Sequence, residues 1–191
     1  MSAHLFARWA DVLAREGIVS AEDVELYSYG LSQGLLFLLN IGTALFIGAL
    51  LGEMAACVVF MACYLPLRSM AGGYHARTPL RCYVLGIVLV AAALTAVKWL
   101  PWTGGSIVLA AALASVLIWR LAPVADANKP LDEAEILRYR GKARKLTLGV
   151  WLVVLGGLLI SQPLAASGAV ALLANSLMLV LGLGMQKNNA A

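Results

Sequence analysis

The stretch LSQGLLFLLNIGTALFIGALL, from Leu31 to Leu51, decides the fold, because it runs 21 residues without a charged side chain. A helix needs about 20 apolar residues to cross the hydrocarbon core of a bilayer, so this run reads as a membrane span. Comparable runs follow at 54–67, 83–100, 106–122, 146–162 and 164–185. They account for a chain of 191 residues that is 62% hydrophobic and 13% charged, with a mean hydropathy of +0.87. Soluble domains hold about 45–50% apolar and about 25% charged residues. A soluble globule of this size could not hide so much apolar surface. Disordered and fibrous chains need polar or repetitive sequence. The expected fold is therefore all-α, a polytopic membrane protein with six transmembrane helices.

The charges orient it. With the N-terminus inside, the cytoplasmic segments carry Arg8, Arg15, Arg68, Arg77, Arg81, Arg120, Lys129, Arg138, Arg140, Lys142, Arg144, Lys145 and Lys187, while the outer loops carry only Lys98. This is a one-sided positive-inside distribution, and an even number of spans places both termini in the cytoplasm. Residues 1–30 read as N-terminal interfacial helices, and 31–191 as the six-span membrane domain. In the first segment Leu5, Phe6, Trp9, Val12 and Leu13 recur at helical spacing, opposite Arg8, Asp11 and Arg15. That is an amphipathic helix lying on the bilayer. Gly17 ends it, and Ser20 reads as the N-cap of a second helix feeding the first span. The second span is short and extends to Arg68, whose side chain is expected to snorkel to the interface; a re-entrant segment is the alternative. Trp99 and Trp102 mark one interface, with Trp119 and Trp151 nearer the other.

The net charge of +4 reports topology, not nucleic acid, since no basic run is interleaved with stacking aromatics. Three cysteines, Cys57, Cys63 and Cys82, leave at least one thiol unpaired and indicate no disulfide framework. No secretory signal is expected, because the first apolar run begins near Leu31 after a charged, mixed segment.

Chemistry concentrates in the loop from Arg68 to Cys82, which holds Gly72, Gly73, His75 and Arg77 and the chain's only histidine besides His4. Thr78-Pro79 reads as the N-cap and first position of the third span. Cys82 then falls in the first helical turn, where the dipole and the nearby Arg77 or Arg81 favour a thiolate. Gly72 and Gly73 allow the loop to fold back closely. An imidazole beside such a thiol suits nucleophilic catalysis, with His75 taking the proton and returning it to the leaving amine. A lone His and a lone Cys in one loop are more often incidental. A metal site is weaker still, since zinc wants three or four ligands. No metal and no cofactor is expected.

The string Arg68…Gly72-Gly73-Tyr74-His75-Ala76…Cys82 resembles the hallmark of the AgrB family (accessory gene regulator protein B). The likeness extends to chain length, the six-span layout, Tyr29-Gly30-Leu31 at the start of the first span, and Ala122-Pro123…Lys129-Pro130 in the second loop. Members of that family are membrane cysteine endopeptidases that process a short propeptide, AgrD, into a cyclic autoinducing peptide for quorum sensing. The resemblance implies that His75 is the base and Cys82 the nucleophile. It further implies cleavage of the propeptide's C-terminal part through an acyl-thioester on Cys82, followed by thiolactone or lactone closure. The partners implied are an AgrD-like propeptide and the lipid bilayer, with the site at the cytoplasmic face of a bacterial cell membrane. A homodimer is an option for so small a bundle.

Gln33, near the inner end of the first span, is a candidate oxyanion donor or orienter of His75. Asn40 lies on the same face but deeper, and helix–helix hydrogen bonding is the competing role for both. First-turn backbone N–H groups of the third span are equally good oxyanion donors. The second loop, 123–145, reads as a dipole-matched helix with Pro130 at its first position, acids early and bases late. Its Lys129, Arg138, Arg140 and Lys142, with Arg68, Gly72, Gly73 and Arg77 of the first loop, are the candidate substrate-binding residues. The bases suit anionic headgroups or the acidic propeptide tail that the resemblance implies. Asn175 and Ser176 read as packing contacts in the last span. The rival functions are a small transporter or exporter, and a non-catalytic scaffold. Against transport, the span centres hold no charge and no repeated pair of broken helices.

Overall fold

The computed structural model describes residues 8, 12, 14–17, 19–74, 78–125 and 131–190. Six helices follow a short 3-10 turn, Ala21–Asp23: α1 Val24–Leu51, α2 Met54–Ala71, α3 Pro79–Trp99, α4 Gly104–Leu121, α5 Glu133–Ile160 and α6 Gln162–Ala190. All six are long and apolar enough to cross a membrane. The chain divides into two units, residues 1–43 and 44–191.

In the first unit, Ser20 takes the N-cap position of the 3-10 turn. Its hydroxyl donates to the Asp23 carboxylate at 2.7 Å rather than capping a backbone N–H. Leu5, Phe6, Trp9, Asp11 and Leu13 of the expected amphipathic helix lie outside the described residues. Arg8, Val12, Ala14 and Arg15 are helical, and the Gly17 N–H closes on the Ala14 carbonyl at 3.1 Å. Along α1, Ser32 donates to Ser28 O and Asn40 to Leu36 O, both at 2.9 Å. Polar side chains in a span answered by their own helix's carbonyls suit a medium that offers no water.

The second unit is built around α6, which packs on α2, α3, α4 and α5. The α6 span is 72% buried, against 17% to 33% for the spans of α2 to α5. Its sequence explains this. Ala165, Ala166, Ser167, Ala169, Ala171 and Ala174 are small enough for neighbouring backbones to approach closely, which is how helices gain contact where lipid is as apolar as leucine. Phe60, Leu67, Leu94, Ile107, Ile118, Leu172 and Leu179 fill the spaces between helices. Asn175 donates to Ala171 O at 2.9 Å and to the Tyr64 carbonyl at 3.4 Å, and Ser176 donates to Leu173 O at 2.8 Å. Both are packing contacts, as read from the sequence.

Three boundaries differ from expectation. The second span runs to Ala71 through an internal proline, Pro66. It is one continuous helix of 18 residues, roughly 27 Å at 1.5 Å per residue, and it does not turn back as a re-entrant segment would. The second loop is shorter than 123–145. Its basic segment is the first part of α5, which continues unbroken into the fifth span. That helix starts with Asp132 as N-cap, accepting from Glu135 N at 2.6 Å in a reciprocal capping box, and not with Pro130 at its first position. Trp151 is not an interface marker either: its indole donates to Ser115 Oγ at 3.0 Å inside the bundle.

Candidate active site

Cys82 is placed by a local cap. Thr78 accepts from Arg81 N at 3.3 Å, and Pro79 occupies the first helical position, where its missing N–H costs nothing. The Cys82 N–H makes the first helical hydrogen bond, to Thr78 O at 3.0 Å. The thiol is free and exposed, whereas Cys57 and Cys63 are buried. The thiol thus stands at the positive end of the α3 dipole. One expectation narrows here. With Pro79 lacking an N–H and those of Arg81 and Cys82 engaged, this turn can offer an oxyanion at most the Leu80 N–H.

The segment leading to His75 is held by backbone. Gly72 forms a parallel bridge with Val124 of the α4–α5 loop. Gly73 N donates to Val124 O at 3.2 Å, and Val124 N to Ala71 O at 2.9 Å. Gly72 has φ 71° and ψ −147°, a conformation close to one reserved for glycine. A Cβ there would overlap the Val124 carbonyl oxygen and lie 3.1 Å from its carbon. Gly73, at φ 113°, lies against α6, and the next residue, Tyr74, donates its N–H to Met178 O at 2.8 Å. Arg68 closes the arrangement by donating to the carbonyls of both Gly72 and Tyr74. Tyr64, one turn before Arg68 on the same helix, lies within electrostatic reach of both Arg68 and Cys82. Arg68 is therefore turned inward onto the loop instead of snorkelling outward. A cavity of about 170 Å³ opens on the α5 side of this clamp, between Ser69, Met70, Pro123 and Tyr139.

Of the residues singled out from sequence, the structure gathers Arg68, Gly72 and Gly73 in one clamp, and Cys82 follows at the start of α3. His75, Arg77 and Lys129 lie outside the described residues. Gln33 is exposed on α1 in the first unit, a unit separate from the one that holds Cys82. Asn40 spends its amide on its own helix. Arg138, Arg140 and Lys142 are exposed on the first turns of α5. Among the described residues, no three His, Cys, Asp or Glu converge to hold a metal ion. Tyr64, Val124 and Met178 are participants that the sequence alone did not reveal. Only Tyr64 carried a signal, standing four residues before Arg68 and so on the same helix face.

The family model for Accessory gene regulator B matches residues 6–181. A "Putative AgrB-like protein" of Halalkalibacterium halodurans is 26% identical over 144 residues, covering 75% of this chain and 71% of that protein. No solved structure matches. The chain belongs to the AgrB family, and that membership implies a membrane peptidase that processes an AgrD propeptide.

Proposed function

We propose that Cys82 is the nucleophile and His75 the general base of a propeptide-cleaving reaction at the cytoplasmic end of the bundle. The observation that carries this reading is the exposed Cys82 thiol, capped into the first turn of α3 by Thr78-Pro79. His75 lies within the same short connection. The bulk of the chain's bases fall on the loops and helix ends at this end, which supports an inside location by the positive-inside rule.

His75 takes the thiol proton as the sulfur attacks a backbone carbonyl carbon of the propeptide. The C–N bond then breaks, the proton goes to the departing amine, and an acyl-thioester remains on Cys82. A thiol or hydroxyl of a residue upstream in the fragment held on Cys82 attacks the thioester carbonyl. Its proton passes through His75 to the Cys82 sulfur, and the ring closes as a thiolactone or lactone. Exchange of one thioester for another is nearly isoenergetic, so closure competes well where the interface keeps water from the acyl-enzyme. The exposed Arg138, Arg140 and Lys142 gather the acidic end of the propeptide.

The test is direct. In vesicles, Cys82→Ala abolishes cleavage of a cognate propeptide, and His75→Ala lowers it about 10²- to 10⁴-fold, the usual contribution of a positioned base. Mass spectrometry of wild-type protein traps the propeptide fragment as a thioester on Cys82. Robust cleavage by Cys82→Ala overturns the reading.

A further inference from the structure

Gly182 lies on the last span, 107 residues after His75 in sequence. An ideal Cβ built on Gly182 would stand 2.7 Å from Tyr74 N, 2.8 Å from Gly73 C and 2.9 Å from Gly73 Cα. All three are backbone atoms, so no rotamer change relieves the overlap. The approach is reciprocal: a Cβ on Gly73 would stand 2.6 Å from Met178 O and 2.9 Å from Met178 C. Met178 and Gly182 are four residues apart, one turn of the same α6 face. The loop backbone therefore lies directly on the helix backbone. The Tyr74 N–H seals the contact by donating to Met178 O at 2.8 Å, while Arg68 holds the Tyr74 carbonyl from the other side. Both backbone polar groups of Tyr74 are thus pinned. The Tyr74 carbonyl belongs to the planar peptide unit that joins Tyr74 to His75.

We propose that Gly182 is a positioning residue of the reaction: its missing side chain seats the Gly73-Tyr74 backbone on α6 and so anchors the chain immediately before His75. This rests on the reading of His75 and Cys82 as the catalytic pair. Gly182 touches no reacting atom and acts through His75. Gly184, two residues on, has nothing within 4 Å of its own ideal Cβ and serves as the control.

The experiment compares cleavage by full-length Gly182→Ala, Gly184→Ala, His75→Ala and the Gly182→Ala/His75→Ala double variant in vesicles, with kcat and KM separated. Gly182→Ala lowers kcat about 10²-fold, the scale of a 1 Å misplacement of a catalytic group, with KM little changed; Gly184→Ala matches wild type. In the His75→Ala background, Gly182→Ala costs nothing further, because a residue acting through His75 has nothing left to position. A second pair covers failed insertion of Gly182→Ala. Tyr74→Pro removes the N–H to Met178 O and reproduces the kcat loss, while Tyr74→Ala keeps that N–H and retains more activity. Wild-type kcat in Gly182→Ala, or a loss of equal size in both backgrounds, overturns the proposal. Wild-type cleavage by His75→Ala overturns instead the catalytic reading beneath it.

Discussion

Replacing Gly72 with alanine separates the clamp from the bundle. Gly72 sits at φ 71° and ψ −147°, and holding an alanine there costs about 1–3 kcal/mol. Its Cβ would also overlap the Val124 carbonyl oxygen, so Val124 must move. That movement breaks two hydrogen bonds, Gly73 N to Val124 O at 3.2 Å and Val124 N to Ala71 O at 2.9 Å, each worth roughly 0.5–1.5 kcal/mol. The combined penalty is roughly 2–6 kcal/mol, and all of it falls on the junction of the two loops. None of the large buried side chains, such as Phe60, Leu67, Leu172 and Leu179, loses a neighbour. The strain is therefore released by opening the clamp, not by unfolding the helices.

The expected outcome is a fall in propeptide cleavage of about tenfold or more, reached once the penalty exceeds the clamp's own closing free energy by about 1.4 kcal/mol. The detergent melting temperature stays close to wild type. Gly105→Ala is the control, because a Cβ on Gly105 meets nothing within 4 Å. Cleavage by mass spectrometry and melting by circular dichroism, on one preparation, decide the matter. Wild-type cleavage by Gly72→Ala refutes the reasoning. So does a loss of cleavage that merely tracks a loss of folded protein, since the clamp would then be part of the bundle's own stability.

Three further outcomes follow from the same contacts. A maleimide labels folded protein once, at Cys82, because Cys57 and Cys63 are 0% and 5% exposed; denaturant raises the stoichiometry to three per chain, and more than one label before unfolding contradicts the packing of α2. Phe60→Ala costs about 3–5 kcal/mol of stability, since Phe60 is wholly buried and stacked on Tyr64 at 5.4 Å; a melting temperature within a degree or two of wild type would show that α2 is not part of the core. Charge reversal at Arg138, Arg140 and Lys142 weakens capture of an acid-tailed propeptide by roughly fivefold per charge, taking about 1 kcal/mol for each base, and high salt erases the difference; unchanged capture by a correctly inserted variant removes these bases from substrate recruitment.

What could be read from the sequence was what local physics decides. An uncharged run of span length has one stable home, so the six helices were legible without any knowledge of their partners. Thr78-Pro79 was legible because a cap acts over three residues, and it placed Cys82 in its helical turn. The basic segment from Glu133 was legible as a dipole-matched helix, but its continuity with the fifth span was not. Hydropathy breaks at the bases, whereas helix continuity is decided by caps and breakers, and Asp132 with Glu135 caps a stretch that meets no proline before Ile160. The clamp was illegible because it is made of backbone joined across distant positions: Gly72 to Val124, Tyr74 to Met178. Backbone carries no side-chain signature, and its only trace in the sequence is glycine.

The chain has 18 glycines, and nothing in their letters separates one that seats a loop from one that faces open space. Gly182 and Gly184 illustrate this on opposite sides of one helical turn: the first abuts the backbone of Gly73 and Tyr74, the second abuts nothing. The residues read as chemistry, His75 and Cys82, say what the loop is able to do. Whether it does so depends on a contact with α6 that only the folded chain reveals, and the paired alanine substitutions at 182 and 184 tell the two kinds of glycine apart.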